Sequence, residues 1–340
     1  MRYNKPILNA QREATAVDEA VREQLLEALR PLVKRKDLLE GAPMARYTTL
    51  CFGGPAEVLC EVTSADQALE ALRAASRLHV PVQALGNGSN LAVRDGGLPG
   101  LTLHFGEAFA EITPPVPLPD GRFAVTAQAG AMLTSLANRA AEASLKGLEF
   151  AAGIPGSVGG AVVMNAGAYG GEISDVLQGV TCATLQGEIR HYTAGQMAFG
   201  YRRSRLSAPD AEPEFVLAAT FALAPGEEDT IRVAMREFNA RRREKQPLTL
   251  PCCGSTFKRP AGHFAGTLIE QCGLKGYRVG GASVSTLHAG FLVNDGGGTA
   301  ADYLALIEAV TREVYRQTGV LLEPEVRIVG VEVSVGPPAP

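Results

Sequence analysis

"GLEFAAGIPGSVGGAVVMNAGAYGG", residues 147–171, carries eight glycines in twenty-five positions. That density is incompatible with a regular helix or a central strand, because each glycine adds backbone freedom and removes a packing side chain. Yet Ile154, Val158, Val162, Val163 and Met164 lie inside the stretch, and a flexible linker has no use for them. The pattern predicts a long, specifically folded loop with one short helix near 158–164, wrapped around a ligand.

Upstream, "FAVTAQAG" reads as a strand and 132–145 as a helix. Earlier still, "VPVQAL" reads as a strand, "GNGSN" as a tight loop and "LAV" as another strand. Ser64 followed by Gln67 is a capping-box signature for a helix reaching about His79, which completes a βαβ unit. Residues 17–40 read as a helix with Val21, Leu25, Leu26, Leu29 and Leu32 apolar, and "TTLCFGGPAEVLCEV" as strand, glycine turn, strand. Downstream, "GVTCATLQGEI" and "EFVLAATFAL" read as strands and 227–243 as a helix. A third part starts near Lys245. Thr299 and Asp302 cap its last helix, which carries Tyr303, Ile307, Val310 and Val314 on one face and ends at Gly319. In "VLLEPEVRIVGVEV" a strand is broken by Pro324, and its phase shift predicts a bulge at Val329–Gly330.

The 340 residues predict about two domains. At 46% hydrophobic and 20% charged the chain has the composition of a soluble globular protein, and its net charge of −4 gives no general pull toward nucleic acid or an anionic membrane. No apolar run approaches the ~20 residues that span a bilayer. The N-terminal "MRYNKPILNAQREATAV" lacks an apolar signal core, so a cytoplasmic protein is expected. The six cysteines are scattered and form no CxxC, and the five histidines show no HxxxH or HExxH spacing, so no metal site is expected.

Several short stretches could carry chemistry. In "LGNGSNLAVRDGG" (85–97) the main chain can converge on phosphate oxygens, or simply turn; it is neither a Walker A loop nor a Rossmann GxGxxG. "FGYRRSRL" (199–206) offers arginines that recognise carboxylate or phosphate, or a solvated surface. Glu323 and Glu325 sit in an apolar strand, either paired, with Arg327 as a partner, or used chemically. Lys245, in the basic helix end "ARRREKQP", can reach an anion or merely complement the helix dipole. His288 fits a core histidine or a catalyst. "PCCGSTFKRP" (251–260) could bind a metal, present the Cys253 thiol or offer the Ser255 hydroxyl.

Together and in this order, "TTLCFGGPAEVL", "LGNGSNLAV", "GLEFAAGIPGSVGGAVVMNAGAYG", "GYRRSRL", "CGSTFKRP", "LIEQCGLKGYRVGGASVS", "HAGFLVN" and "LEPEVRIVG" resemble the UDP-N-acetylenolpyruvoylglucosamine reductase family over roughly residues 47 to 330. The resemblance is to the family's second type, which lacks an extra substrate-covering loop. It implies an α+β protein with a two-lobed FAD-binding fold of the vanillyl-alcohol-oxidase-like (PCMH-type) class and a C-terminal α+β substrate domain. The implied boundaries are 1–104 and 105–244 for the two lobes, 245–319 for the substrate domain, 320–334 returning to the first lobe, and a disordered tail at 335–340.

The implied activity is reduction of UDP-N-acetylglucosamine enolpyruvate to UDP-N-acetylmuramate, with noncovalent FAD as cofactor and NADPH as co-substrate. The implied catalytic residues are Arg202 and Glu325, flanking the enolpyruvyl group, and Ser255, the proton donor. FAD is expected against Gly86, Asn87, Gly88, Ser89 and Asn90, and against Gly153, Ile154, Pro155, Gly156, Ser157 and Gly160. Tyr201, Lys245, Arg259, Lys275 and His288 are expected at the UDP-sugar. Cys51 and Arg259 depart from residues common elsewhere in the family. No nucleic acid or membrane partner is expected, and the chain is expected to be a monomer or weak dimer. Two alternatives belong to other classes: an FAD-dependent oxidase of a sugar or alcohol on the same fold, and a nucleotide-binding protein without catalysis.

Overall fold

The computed structural model describes residues 17–208 and 210–333. The N-terminal segment read for a leader, save Val17, and the tail expected to be disordered lie outside the described residues. Helix α1 (Glu19–Leu29) stops well short of the helix expected over 17–40. Pro31 offers no N–H, and its ring crowds the preceding turn. Residues Leu38–Pro43 form strand β1 instead, because β2 (Pro55–Glu61) supplies an antiparallel partner from Leu38↔Cys60 to Pro43↔Pro55.

Residues 48–53, expected as a strand entering a glycine turn, are themselves the turn. Cys51 (φ +55) and Gly53 (φ +118) are left-handed, which a strand cannot accommodate. Helix α2 (Ala65–Arg77) follows, with the Ser64 hydroxyl accepting from Gln67 N at 3.2 Å. The Gln67 side chain accepts from Thr63 N at 2.6 Å, so the return arm of the expected box lands one residue early. Strands β3 (Val82–Leu85), β4 (Leu91–Val93) and β5 (Leu98–His104) complete this part. The sheet order is β1-β2-β5-β3, with β5 parallel to both β2 and β3.

The second sheet is antiparallel throughout. It contains β6 (Val116–Pro117), β7 (Phe123–Gln128), β11 (Leu177–Thr184), β12 (Ile189–Thr193) and β13 (Glu214–Pro225) in the order β12-β11-β13-β7-β6. Between β7 and β11 lie α3 (Leu133–Glu142), β8 (Leu145–Lys146), which pairs with the end of β13, and the glycine-rich stretch. Within that stretch the regular elements are a 3-10 turn (Glu149–Ala151), α4 (Val158–Met164) and the short pair β9 (Gly167–Ala168) and β10 (Gly171–Glu172). Helix α5 (Glu228–Lys245) leads to the last part: α6 (Ala265–Gln271), the sheet β14 (Arg278–Val279), β15 (Ala282–Val284) and β16 (Leu292–Asn294), then α7 (Ala300–Thr318). The Thr299–Asp302 capping box is present, and Gly319 closes α7 at φ +73. The Tyr303, Ile307, Val310 and Val314 face is fully buried.

The final strand β17 (Arg327–Val329) runs back to pair in parallel with β4. The irregularity expected at Val329–Gly330 falls on Gly330 (φ +87), where a Cβ would stand 2.4 Å from the Gly97 oxygen. Pairing resumes at Val331, bonded to Gly96 and Gly97 at 3.0 Å each. One apolar core runs from Leu25 through Leu101 and Ala127 to Met235, so the two N-terminal sheets share it. A second joins α6, α7, β15 and β16 to Leu50, Phe52 and Ala92. Among the described residues no helix is long and apolar enough to cross a membrane.

Candidate active site

A cleft of about 1600 Å³ opens where these parts meet. Two glycine loops form one wall. Residues 86–90 leave β3 and press against residues 155–157, which lead into α4. At Gly86 a Cβ would stand 2.1 Å from Ser157 Oγ, and at Gly88 (φ +59) it would stand 2.0 Å from the Tyr47 main-chain oxygen. Asn87 Nδ2 donates to Pro155 O at 2.6 Å. Only glycine permits both contacts, so the two loops form a cradle with the main chain exposed to the cleft. Gly86, Asn87, Gly88, Ser89 and Asn90 line it, as do Ile154, Pro155, Gly156, Ser157 and Gly160; Gly153 does not. Gly153 instead backs onto Arg242, whose Cδ would lie 2.6 Å from an added Cβ.

Tyr201, Arg202, Ser255 and Glu325 line the same cleft as this cradle. Tyr201 and Arg202 form the tip of a turn closed by two Gly200–Arg203 main-chain bonds of 3.1 Å. Arg202 has φ +55, a conformation that costs a non-glycine residue about 1 kcal/mol and is retained where the surroundings enforce it. Asn165, buried at the left-handed end of α4, donates from Nδ2 to Gly200 O (3.2 Å) and accepts from Ser174 N (3.0 Å). The glycine-rich stretch thereby holds the turn. Arg202 Nε donates to Glu325 Oε1 at 2.7 Å, and Nη2 donates to Gly167 O at 2.9 Å. Burial pushes the Glu325 carboxyl above its usual range, opposed by Arg202, Lys258 and the Tyr201 hydroxyl. Arg327, read from sequence as a partner for the two glutamates, is not one: Arg202 pairs with Glu325, and Lys258 pairs with Glu323 at 3.3 Å.

Ser255 is exposed and lines the same cleft. The next residue, Thr256, accepts from Glu325 N at 2.8 Å through its main-chain oxygen. Asn90 Nδ2 donates to Glu325 O at 3.2 Å, and Asn90 O accepts from Arg327 N at 3.0 Å. The Ser255 turn, the Glu325 segment that leads into β17 and the first glycine loop are therefore one hydrogen-bonded unit.

Tyr201, Arg259 and His288 also line the cleft. The Tyr201 hydroxyl accepts from Arg259 N at 3.3 Å, and the Arg259 guanidinium lies 4.0 Å over the Phe264 ring. His288 Nδ1 accepts from Gly290 N at 3.0 Å, which fixes the neutral ring with its proton on Nε2. Burial, with Lys275 adding to it, pushes the His288 pKa down. Lys245 and Lys275 stand outside the lining; Lys275 instead pairs with Glu270 at 2.6 Å. Of the two neighbouring cysteines, Cys253 is buried, and burial pushes its thiol up to about 12. Among the described residues no group of three or more His, Cys, Asp or Glu could hold a metal.

Among the lining residues that the sequence reading did not assign to the site are Arg242, Gln246 and Arg327. Arg242 Nε and Gln246 Oε1 are buried in the cleft wall without a hydrogen-bond partner among the described residues. Arg327 lines the same cleft, and among the described residues neither arginine forms an ion pair. The only signal was the basic helix end, where nothing separates Arg242 from its neighbours. Orphaned cationic and amide groups beside a glycine cradle fit a dianionic, elongated ligand with carbonyl and ring-nitrogen edges. FAD is such a ligand.

Fold and cleft define a flavoprotein of the two-lobed FAD-binding class with an added C-terminal α+β domain, the vanillyl-alcohol-oxidase-like arrangement expected. A family model described as an FAD binding domain matches residues 56–193, and one described as the C-terminal domain of UDP-N-acetylenolpyruvoylglucosamine reductase matches 246–329. The UDP-N-acetylenolpyruvoylglucosamine reductase of Lactobacillus delbrueckii subsp. bulgaricus is 48% identical over 296 residues, 87% of this chain and 96% of its own. That of Levilactobacillus brevis is 48% identical over 295 residues, 87% and 94% of the two chains. A crystal structure of the reductase from Thermus caldophilus superposes with a TM-score of 0.69 at 33% identity, covering 86% of this chain and 98% of that one. The chain belongs to the UDP-N-acetylenolpyruvoylglucosamine reductase family.

Proposed function

We propose that the chain reduces UDP-N-acetylglucosamine enolpyruvate to UDP-N-acetylmuramate for peptidoglycan precursor synthesis, with NADPH as reductant. The observation that carries the proposal is the meeting of the Arg202–Glu325 pair and the exposed Ser255 in one cleft walled by glycine loops. FAD, held between the 86–90 and 154–160 loops, would supply the redox chemistry, namely hydride addition to the far carbon of the enolpyruvyl double bond with NADPH as the source of reducing equivalents. That addition leaves negative charge on the near carbon and its carboxylate. Arg202 stabilises the charge, in the manner of an oxyanion hole. Ser255 gives its hydroxyl proton to the near carbon, which is basic enough to take it, and solvent restores the proton to the serine oxygen. Glu325 holds the Arg202 guanidinium in place and adds polarity beside the reacting carbon.

The loop from Gly86 to Asn90 faces the FAD pyrophosphate, and the segment from Ile154 to Gly160 wraps the cofactor. Tyr201, Arg259 and His288 meet the UDP-sugar, with Lys245 and Lys275 reached only by its outer phosphates. Every named group comes from one chain, so a monomer or weak dimer suffices, and the unpaired thiols suit the reducing cytoplasm where NADPH is made. The purified protein should be yellow and should bleach anaerobically with NADPH. Adding the enolpyruvyl sugar should restore the colour. Ser255→Ala should keep the bleaching and slow the recovery by about 100-fold or more; unimpaired recovery sinks the assignment of Ser255.

A further inference from the structure

Ser255 stands on a turn whose Gly254 takes φ +79. The residues that flank this pair, Cys253 and Thr256, are 3% and 0% exposed. Both reach one atom: Cys253 Sγ and Thr256 Oγ1 each lie 3.2 Å from the hydroxyl of Tyr303. Tyr303 sits on α7, fully buried, with its ring 5.3 Å from that of Phe52. Thr256 is further fixed, since its Oγ1 accepts from Leu292 N (3.1 Å) and its main-chain N–H donates to Gly290 O (2.9 Å). A phenol donates once and accepts once, so one hydroxyl can serve both flanking side chains. Burial lifts the Tyr303 pKa well above its ordinary value and that of Cys253 to about 12, so both stay protonated across the working pH range.

The ring alone would fill the space in the core. The hydroxyl adds only these two bonds, and both end beside Ser255. We propose that Tyr303 is a positioning residue for the protonation step: it ties both ends of the Ser255 turn to α7 and, through Thr256, to the Glu325 segment that leads into β17. It sets the direction of Ser255 Oγ without entering the cleft. The proposal rests on Ser255 being the proton donor. A displacement near 1 Å of a reacting group can cost about 100-fold in rate, so loss of the clamp should be visible at this step and at no other.

The test is a double-mutant cycle read in half-reactions, with Tyr303→Phe, Ser255→Ala and the combined protein. Tyr303→Phe should leave FAD content, the rate of NADPH bleaching and the substrate dissociation constant, read from the oxidised flavin spectrum, within about twofold. Its colour recovery should slow about 10- to 100-fold, with no new inflection in the pH profile. Added to Ser255→Ala, the same change should alter the residual recovery by less than about twofold. Equal slowing with and without Ser255 would overturn the proposal, because the hydroxyl would then serve the fold in general. A parent rate in Ser255→Ala alone removes Ser255 as the donor and the clamp with it, an outcome distinct from the first. Should Tyr303→Phe fail to retain FAD, Cys253→Ala removes one arm of the clamp. It should slow recovery by a smaller factor, again silent in Ser255→Ala, and additive behaviour there overturns the proposal.

Discussion

Gly88→Ala tests whether the first glycine loop is a cofactor cradle or an ordinary turn. An alanine Cβ would lie 2.0 Å from the Tyr47 carbonyl oxygen, so the loop must retreat about 1 Å merely to reach the 3.0 Å that real Cβ atoms keep. The obstacle is main chain, not a side chain that can swing away. A 1 Å retreat spoils main-chain hydrogen bonds to a charged phosphate, each contributing about 1.5–3 kcal/mol. Losing the equivalent of two at the lower figure is ~3 kcal/mol, or roughly 150-fold in the FAD dissociation constant. The left-handed φ adds about 1 kcal/mol against the folded apoprotein, worth only a few degrees of melting temperature. Gly121→Ala separates the two costs, because Gly121 has φ +83 with nothing within 4 Å of its would-be Cβ. That variant should lose the same few degrees and bind FAD normally. The assay is recovery of FAD by apoprotein, followed by flavin fluorescence. If Gly88→Ala binds FAD within threefold of the parent, the loop does not hold the pyrophosphate as argued.

Arg202→Lys keeps the charge but loses the fork that reaches Glu325 and Gly167 together. Colour recovery should slow about 10- to 100-fold with bleaching by NADPH unchanged, and equal loss in both half-reactions would refute a role confined to the sugar step. Burial holds the His288 pKa below 6.5, so the folded protein binds that proton less readily than the unfolded chain and stability is lost as pH falls from 6.5 toward the lowered value. The melting temperature of His288→Gln should therefore drop less than the parent's between about pH 7 and about pH 5, and parallel curves would count against it. Leu306→Ala, in the fully buried face of α7, should cost about 2–5 kcal/mol in denaturant unfolding; a loss under about 1 kcal/mol would mean that the core there collapses to fill the gap.

What the sequence disclosed follows from how local each cause is. Helix α4 falls on the residues expected, and α7 closes with the expected box and glycine, because caps and apolar periods act within a few residues. Strand β1 had no such signature: "LLEGAP" is extended because β2 bonds to it, a partner twelve residues further on. The three arginines of "FGYRRSRL" show the same limit at the site. They are chemically interchangeable and nearly adjacent, yet their fates differ by backbone geometry alone. Arg202 occupies the left-handed tip of its turn and points to Glu325. Arg203 folds back so that its Nε would lie 2.7 Å from a Cβ on Gly200, and Arg205 stacks 4.0 Å over the Tyr192 ring. The tip is held by Asn165, thirty-seven residues earlier, through Gly200. No window around the arginines contains that bond, so only the family resemblance could single out Arg202. The physical reason for the choice lies in the glycine-rich stretch that Asn165 terminates: the segment that walls the cleft also aims the cation into it.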